Sequence, residues 1–455
     1  MSTPLNRRSF LHHALLAGGS MALPLQAFAS RVREAGGRVP VADGYGPLGP
    51  AADETTGLPL LFLPAGFRYL SFGWTGDVMD DEGRTPGAHD GMAAFDVGND
   101  RALLIRNHEL GPGRAFGRGA TYDAAASGGT TTLEFDQRAG KWLGARASLA
   151  GTIRNCAGGP TPWASWLTCE ETVLEAGPDQ TLKRPHGYVF EVPLAGSATA
   201  EPLEALGRFV HEAIAIDPAT GIVYETEDAR RAGFYRFLPS TRGDLARGGR
   251  LEMLAVAGKP QFDTRTGVRT GAVLPVAWVP IEHPNRAHEA AGVVGGGVFA
   301  QGLAHGAATF ARLEGASAGA GKIVFTATSG GETEMGQVWE YDPARDVLRL
   351  IYESPGKDVL NMPDNVCLSP RGGLVICEDG TENPSIHGLT RGGELFRFAR
   401  NNVVLNGERG GIAGVFRASE TAGATFSPDG RWLFFNVQSP GFTVAVTGPW
   451  ETGLL

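Results

Sequence analysis

The strongest constraint on the fold is a hairpin that recurs along the chain. Its clearest copies are "HEAIAIDPATGIVYETED" (211–228), "DNVCLSPRGGLVICEDG" (364–380) and "GATFSPDGRWLFFNVQ" (423–438). In each, an apolar strand runs into an Asp-Pro or Ser-Pro turn containing glycine, and a second apolar strand follows that tends to end in acidic or amide residues. Looser copies over 89–109, 155–172 and 312–332 bring the number to six. Further strands, such as "TTLEFD", "GYVFEV", "FYRFLP", "VWEYDP" and "ELFRFA", lie between them and would complete each unit as a four-stranded sheet. The expectation is an all-β chain, a six-bladed β-propeller with loop and short-helix insertions. Composition agrees: 66 of 455 residues are glycine, about twice the usual share, and long amphipathic helical patterns are scarce.

In a propeller the innermost strand of each blade lines the central channel, so the starts of the six hairpins converge on one mouth. Those starts read Asp90, Asn155 with Cys156, His211 with Glu212, Arg312 with Glu314, Asp364 with Asn365, and Glu420. Carboxylates gathered in one funnel repel one another unless cations lie between them. Any one of them alone would be an ordinary solvated side chain; recurrence at equivalent positions is what predicts a metal site. Glu212, Glu314 and Asp364 offer hard oxygen ligands that suit calcium or ferric iron, whereas the Cys156 thiolate suits a transition metal. Cys169, at the end of the paired strand, is expected to pack. Cys367 and Cys377 lie on the two arms of one hairpin, where a disulfide and a pair of buried thiols both fit.

The N-terminus sets the expected compartment. Arg7 and Arg8 are followed by Ser-Phe-Leu, a modest apolar run, and Ala-Phe-Ala before Ser30, the pattern of a twin-arginine export signal over residues 1–29. Gly18 and Gly19 break the apolar run, which falls short of the roughly 20 residues a membrane span needs. The twin-arginine machinery carries folded chains, which suits a protein that takes up metal before export. Residues 30–455 are then expected to form a single propeller domain, periplasmic or secreted, with no membrane span in its mature form and a monomeric state. A net charge of −9 provides no broad basic surface for nucleic acid and favours cations.

The segments "NCAGGPTPWASWLTCEE", "GRFVHEAIAIDPATGIVYETED", "RLEGA", "GQVWEYDP", "PDNVCLSPRGGLVICEDG" and "FSPDGRWLFFNVQSPG" resemble those of the PhoX-type alkaline phosphatases. The resemblance implies a six-bladed propeller that holds an oxygen-bridged ferric pair and calcium ions in its channel and hydrolyses small phosphate esters. Carried over position by position, it makes Cys156 an iron ligand, Glu171, Glu212 and Glu314 metal ligands, and either Asp364 or Asp379 the acidic ligand of the fifth blade. Asn107 and Glu109 in "RNHE" are weaker carry-overs, and His108, His186 and His305 are expected to be ordinary hydrogen-bonded side chains. Arg312 precedes Glu314 by two residues, so alternation along a strand would put both on one face. An arginine beside several cations needs an anion between them, and a phosphoryl group fits its planar fork.

The expected activity is therefore metal-dependent hydrolysis of phosphate monoesters, with metal ions replacing a serine or histidine nucleophile. Two other classes fit the same pattern less well. A calcium-dependent propeller hydrolase such as a lactonase or phytase would have no use for Cys156, and a non-catalytic binding propeller would hold structural metal only.

Overall fold

The computed structural model describes residues 43–177, 181–288, 296–380, 382–390, 394–452 and 455; the expected export signal lies outside them. Six strands line the channel: His89–Asp96, Asn155–Pro160, His211–Ile216, Leu313–Gly319, Pro363–Leu368 and Thr421–Phe426. Each packs beside the next and the last beside the first, which closes a ring. Each also turns back into an antiparallel second strand, as the repeat predicts. Ring closure is made by the N-terminal part of the chain: Arg68–Phe72 pairs with Phe442–Thr447 as the outer strand of the last blade.

Six separate four-stranded sheets do not form. Counted by sheets of four or more strands, the blades number four among the described residues. The second blade has only three strands, Asn155–Pro160, Ser165–Glu170 and Val189–Pro193. The third and fourth blades share one nine-stranded sheet, because Val273–Pro280 pairs with Gly249–Val256 on one edge and with Val347–Glu353 on the other. This added strand satisfies two outer edges at once, removing exposed backbone donors that the sequence repeat does not account for. Among the described residues the insertions are short: one α-helix, Val298–Ala304, and 3-10 turns such as Glu204–Leu206 and Leu245–Arg247.

The cores lie between neighbouring blades, where apolar faces of adjacent sheets meet. Between the third and fourth blades Phe234 stacks on Phe325 at 4.2 Å between ring centroids, and Phe310 meets Phe325 edge-on. All three are fully buried, and truncating one such ring costs about 3–5 kcal/mol. Between the last two blades Tyr69, Phe398, Phe435 and Trp450 fill the equivalent wedge.

Candidate metal centre

A break in the strand pairing recurs in every inner hairpin and positions the site. In the first five blades the pairing skips Asp90–Gly91, Cys156–Ala157, Glu212–Ala213, Glu314–Gly315 and Asp364–Asn365. Two residues thus oppose one, a β-bulge, which turns the side chain of the first bulged residue out of the alternating pattern. The preceding residues face the blade instead: His211 bonds the Gly207 carbonyl and lies on Phe209, and Asn155 is held between Thr152 and Thr168. Small residues follow the ligands because the inner strands converge there. A Cβ on Gly91 would lie 2.5 Å from the Ala157 Cα, and one on Gly315 2.6 Å from the Asp364 carbonyl oxygen.

In the first, third and fourth blades the residue opposite the bulge secures the neighbouring blade. Asn107 donates to the carbonyls of Cys156 (3.1 Å) and Ala157 (2.7 Å) while its oxygen accepts from Trp166 Nε1 and Thr168, both at 2.9 Å. The hydroxyls of Thr226 and Thr326 donate to the Glu314 and Asp364 carbonyls at 2.6 and 2.8 Å. Cys169 and Cys377 occupy the matching positions of their own blades. Cys169 is buried in an apolar cluster, consistent with packing. All four cysteines are free, with Cys367 opposite Val375 in the strand register.

A second ring lies nearer the mouth, at the ends of the second strands. Six equivalent backbone bonds define it: the amides of Glu109, Glu171, Asp228, Thr328, Asp379 and Gln438 donate to the carbonyls of Ala88, Arg154, Val210, Arg312, Met362 and Glu420. The two rings together bring three groups of ligand atoms within 4.8 Å of one another: Cys156–Glu171–Glu212, Asp90–Glu109–Glu420, and Glu212–Glu314–Asp364. Three atoms no farther apart than that leave a point within about 2.8 Å of all of them, a reach compatible with the roughly 2.3–2.6 Å of calcium–oxygen contacts.

The donor set fits cations electrostatically. Burial, reinforced by neighbouring carboxylates, holds Asp90, Glu212, Glu314 and Glu420 well above the ordinary carboxylate range. Asp364 is pushed up to about 8 by burial and then by Asp379. Burial likewise raises the Cys156 thiol, with Glu212 the next contributor. A bound cation reverses these shifts, since each ligand is then used in its charged form. Beyond the ring the channel widens into a cavity of about 300 Å³ whose lining, including Gly91, Ala157, Ala213 and Gly315, has no charged side chain. The charged chemistry is confined to the mouth.

The structure brings together Cys156, Glu171, Glu212, Glu314, Asp364 and Glu109. Asp379 lies outside the three groups, on the rim, 3.8 Å from Arg312. Asn107, expected as a ligand, is placed otherwise: its hydrogen-bonding capacity is spent on the adjacent blade, leaving nothing for a cation. Arg312 reaches Glu314 by a different route from the expected strand alternation. It sits before the strand with a left-handed φ of 46°, and its guanidinium bonds Asp228 at 2.9 and 3.1 Å and Glu314 at 2.8 Å. His108, His186 and His305 are hydrogen-bonded as expected, to Gly87 and Thr131, to Glu170, and to the Pro280 carbonyl. Sequence reasoning did not assign roles to Arg154 and Asp228. The usable signal was spacing, since Arg154 precedes Cys156 as Arg312 precedes Glu314.

A family model described as "Alkaline phosphatase PhoX" matches residues 43–149 and 144–441. No curated protein sequence matches the chain. Among solved structures, PhoX of Pseudomonas fluorescens, in complex with the transition-state analogue vanadate, superposes with a TM-score of 0.64 at 18% identity. That match covers 90% of this chain and 98% of the other. XC5397 of Xanthomonas campestris, a gluconolactonase, matches with a TM-score of 0.40 at 13% identity over 89% and 98% of the two chains.

Proposed function

The chain belongs to the alkaline phosphatase PhoX family and is a phosphoric monoester hydrolase, and from that premise we propose that cations held by the bulge-borne ligands make it active. The observation that carries this reading is the sharing of Glu212 between two of the three ligand groups, which sets two cation positions side by side at the mouth. The thiolate of Cys156 selects a transition metal, and iron at Cys156–Glu171–Glu212 is the assignment we favour. The all-oxygen groups Asp90–Glu109–Glu420 and Glu212–Glu314–Asp364 suit calcium. Bound there, such ions would supply Lewis-acid chemistry, neutralising the charge on phosphoryl oxygens.

The chain's own residues orient the substrate. Arg312 stays charged, its guanidinium favoured by Glu314 and Asp228 against the cost of burial. Once a cation engages Glu314, the guanidinium, still anchored by Asp228, is free on that side to hold oxygens of a phosphate ester. The cavity beyond the ring offers no charged partner to a phosphate, which favours approach of the ester from the mouth. The twin arginines at Arg7 and Arg8 and the small-residue cleavage pattern support export to the periplasm or beyond. No helix of the described residues is long and apolar enough to cross a membrane.

Exhaustive chelation should abolish turnover of an aryl phosphate, and added iron with calcium should restore it. Undiminished turnover by protein shown to contain no metal would overturn the reading.

A further inference from the structure

Two of the six positions preceding the inner strands hold a cation. In chain order these are Ala88, Arg154, Val210, Arg312, Met362 and Glu420, the carbonyl acceptors of the second ring. We propose that Arg154 is a second phosphate-binding residue, closing with Arg312 on the same phosphoryl group. This rests on the reading of the mouth as the phosphatase site.

The two arginines are built alike. Both have left-handed backbones, with φ of 48° at Arg154 and 46° at Arg312, a conformation shared with the equivalent Ala88 and Met362 and so set by the repeat; what sets the two apart is the guanidinium. Each guanidinium bridges carboxylates of two blades: Arg154 pairs with Glu171 and lies 3.0 Å from Glu109, and Arg312 pairs with Asp228 and Glu314. In each, Nε and Nη2 make these contacts, and among the described residues no hydrogen bond is made by Nη1. Both side chains remain open to the mouth, 46% exposed at Arg154 and 29% at Arg312.

They face a common space. The positions are two blades apart, with Val210 between them, and the strand that follows Val210 carries Glu212, the ligand shared by two cation groups. Their partners also adjoin, since Asp228 acts electrostatically on Glu171. When cations take over Glu109, Glu171 and Glu314, two guanidiniums are left beside concentrated positive charge, a placement that requires an anion. A phosphoryl dianion has three non-bridging oxygens, enough to meet both forks, whereas a single arginine leaves one side of it unheld.

The test uses metal-loaded full-length protein and the variants Arg154→Lys and Arg154→Met, with orthophosphate as the probe. Metal content, orthophosphate affinity by calorimetry, and KM and kcat for an aryl phosphate are measured together. With wild-type metal content in both variants, orthophosphate binding should weaken about tenfold in the lysine variant and further in the methionine variant, as expected when a charge-assisted fork is lost. KM should rise more than kcat falls. Unchanged orthophosphate affinity in both variants overturns the proposal. So does loss of metal from Arg154→Lys, which would make the residue a support for Glu109 and Glu171. Wild-type loaded protein that binds no orthophosphate would instead overturn the parent reading, and this proposal with it.

Discussion

Replacing Glu212 with glutamine removes one charge while keeping the side chain's volume, at the residue common to two ligand groups. Two unit charges about 4 Å apart interact by about 4 kcal/mol at an effective dielectric of about 20. A cation in either group should therefore lose on the order of 10³ in affinity, and both groups are affected because both contain Glu212. Glu109→Gln is the control of equal chemistry, since Glu109 belongs only to the group with Asp90 and Glu420. Metal retained after gel filtration against a graded chelator series, with aryl phosphate turnover on the same fractions, reads the difference. Glu212→Gln should lose the metals of both its groups and nearly all activity, whereas Glu109→Gln should keep them. Retention of wild-type metal by Glu212→Gln, or equal losses in the two variants, would refute the shared-ligand reasoning.

Other outcomes follow from the same geometry. Cys156→Ser should lose iron and activity, while Cys169→Ser should keep iron and lower only the denaturation midpoint, because Cys169 faces the apolar core; elemental analysis and chemical unfolding separate the two. Asn107→Ala strands two backbone carbonyls, Trp166 Nε1 and Thr168 in a buried interface, and should cost about 2–4 kcal/mol in urea unfolding. Arg312→Lys keeps the charge but not the fork, so orthophosphate inhibition and turnover should weaken with metal content intact. In chelated protein the site carboxylates have folded-state pKa values raised above their unfolded values, for Asp364 to about 8. Their folded state thus binds more protons, and stability should fall as pH rises from about 4 to about 8, a decline that metal-loaded protein should not share.

The hairpin repeat was legible because period-two apolar runs and Pro/Gly turns are local signals, and it located all six inner strands. The extent of the sheets was not, since Val273–Pro280 joins two blades through pairing partners far away in sequence. At the site, equivalence between repeats correctly gathered Cys156, Glu212, Glu314 and Asp364 at one mouth, but strict alternation was the wrong local rule. Bulges at Asp90, Cys156, Glu212, Glu314 and Asp364 aim those side chains, and a two-against-one register is set by neighbouring strands rather than by composition. The same limit hid Asn107: beside Glu109 in "RNHE" it resembles a ligand until the next blade's carbonyls are seen beside it. Arg154 was overlooked because a charged residue before a strand is ordinarily a solvated one. Its significance lies in the carboxylates of two blades that its guanidinium bridges, as that of Arg312 does.

The most direct test of a cation-holding ring is a crystal structure of protein purified from its native source, with anomalous data at the iron edge and at longer wavelength. The account predicts an iron peak among Cys156, Glu171 and Glu212, and lighter-cation density within Glu212–Glu314–Asp364 and Asp90–Glu109–Glu420. An active crystalline enzyme with no anomalous density at any of the three positions would contradict it.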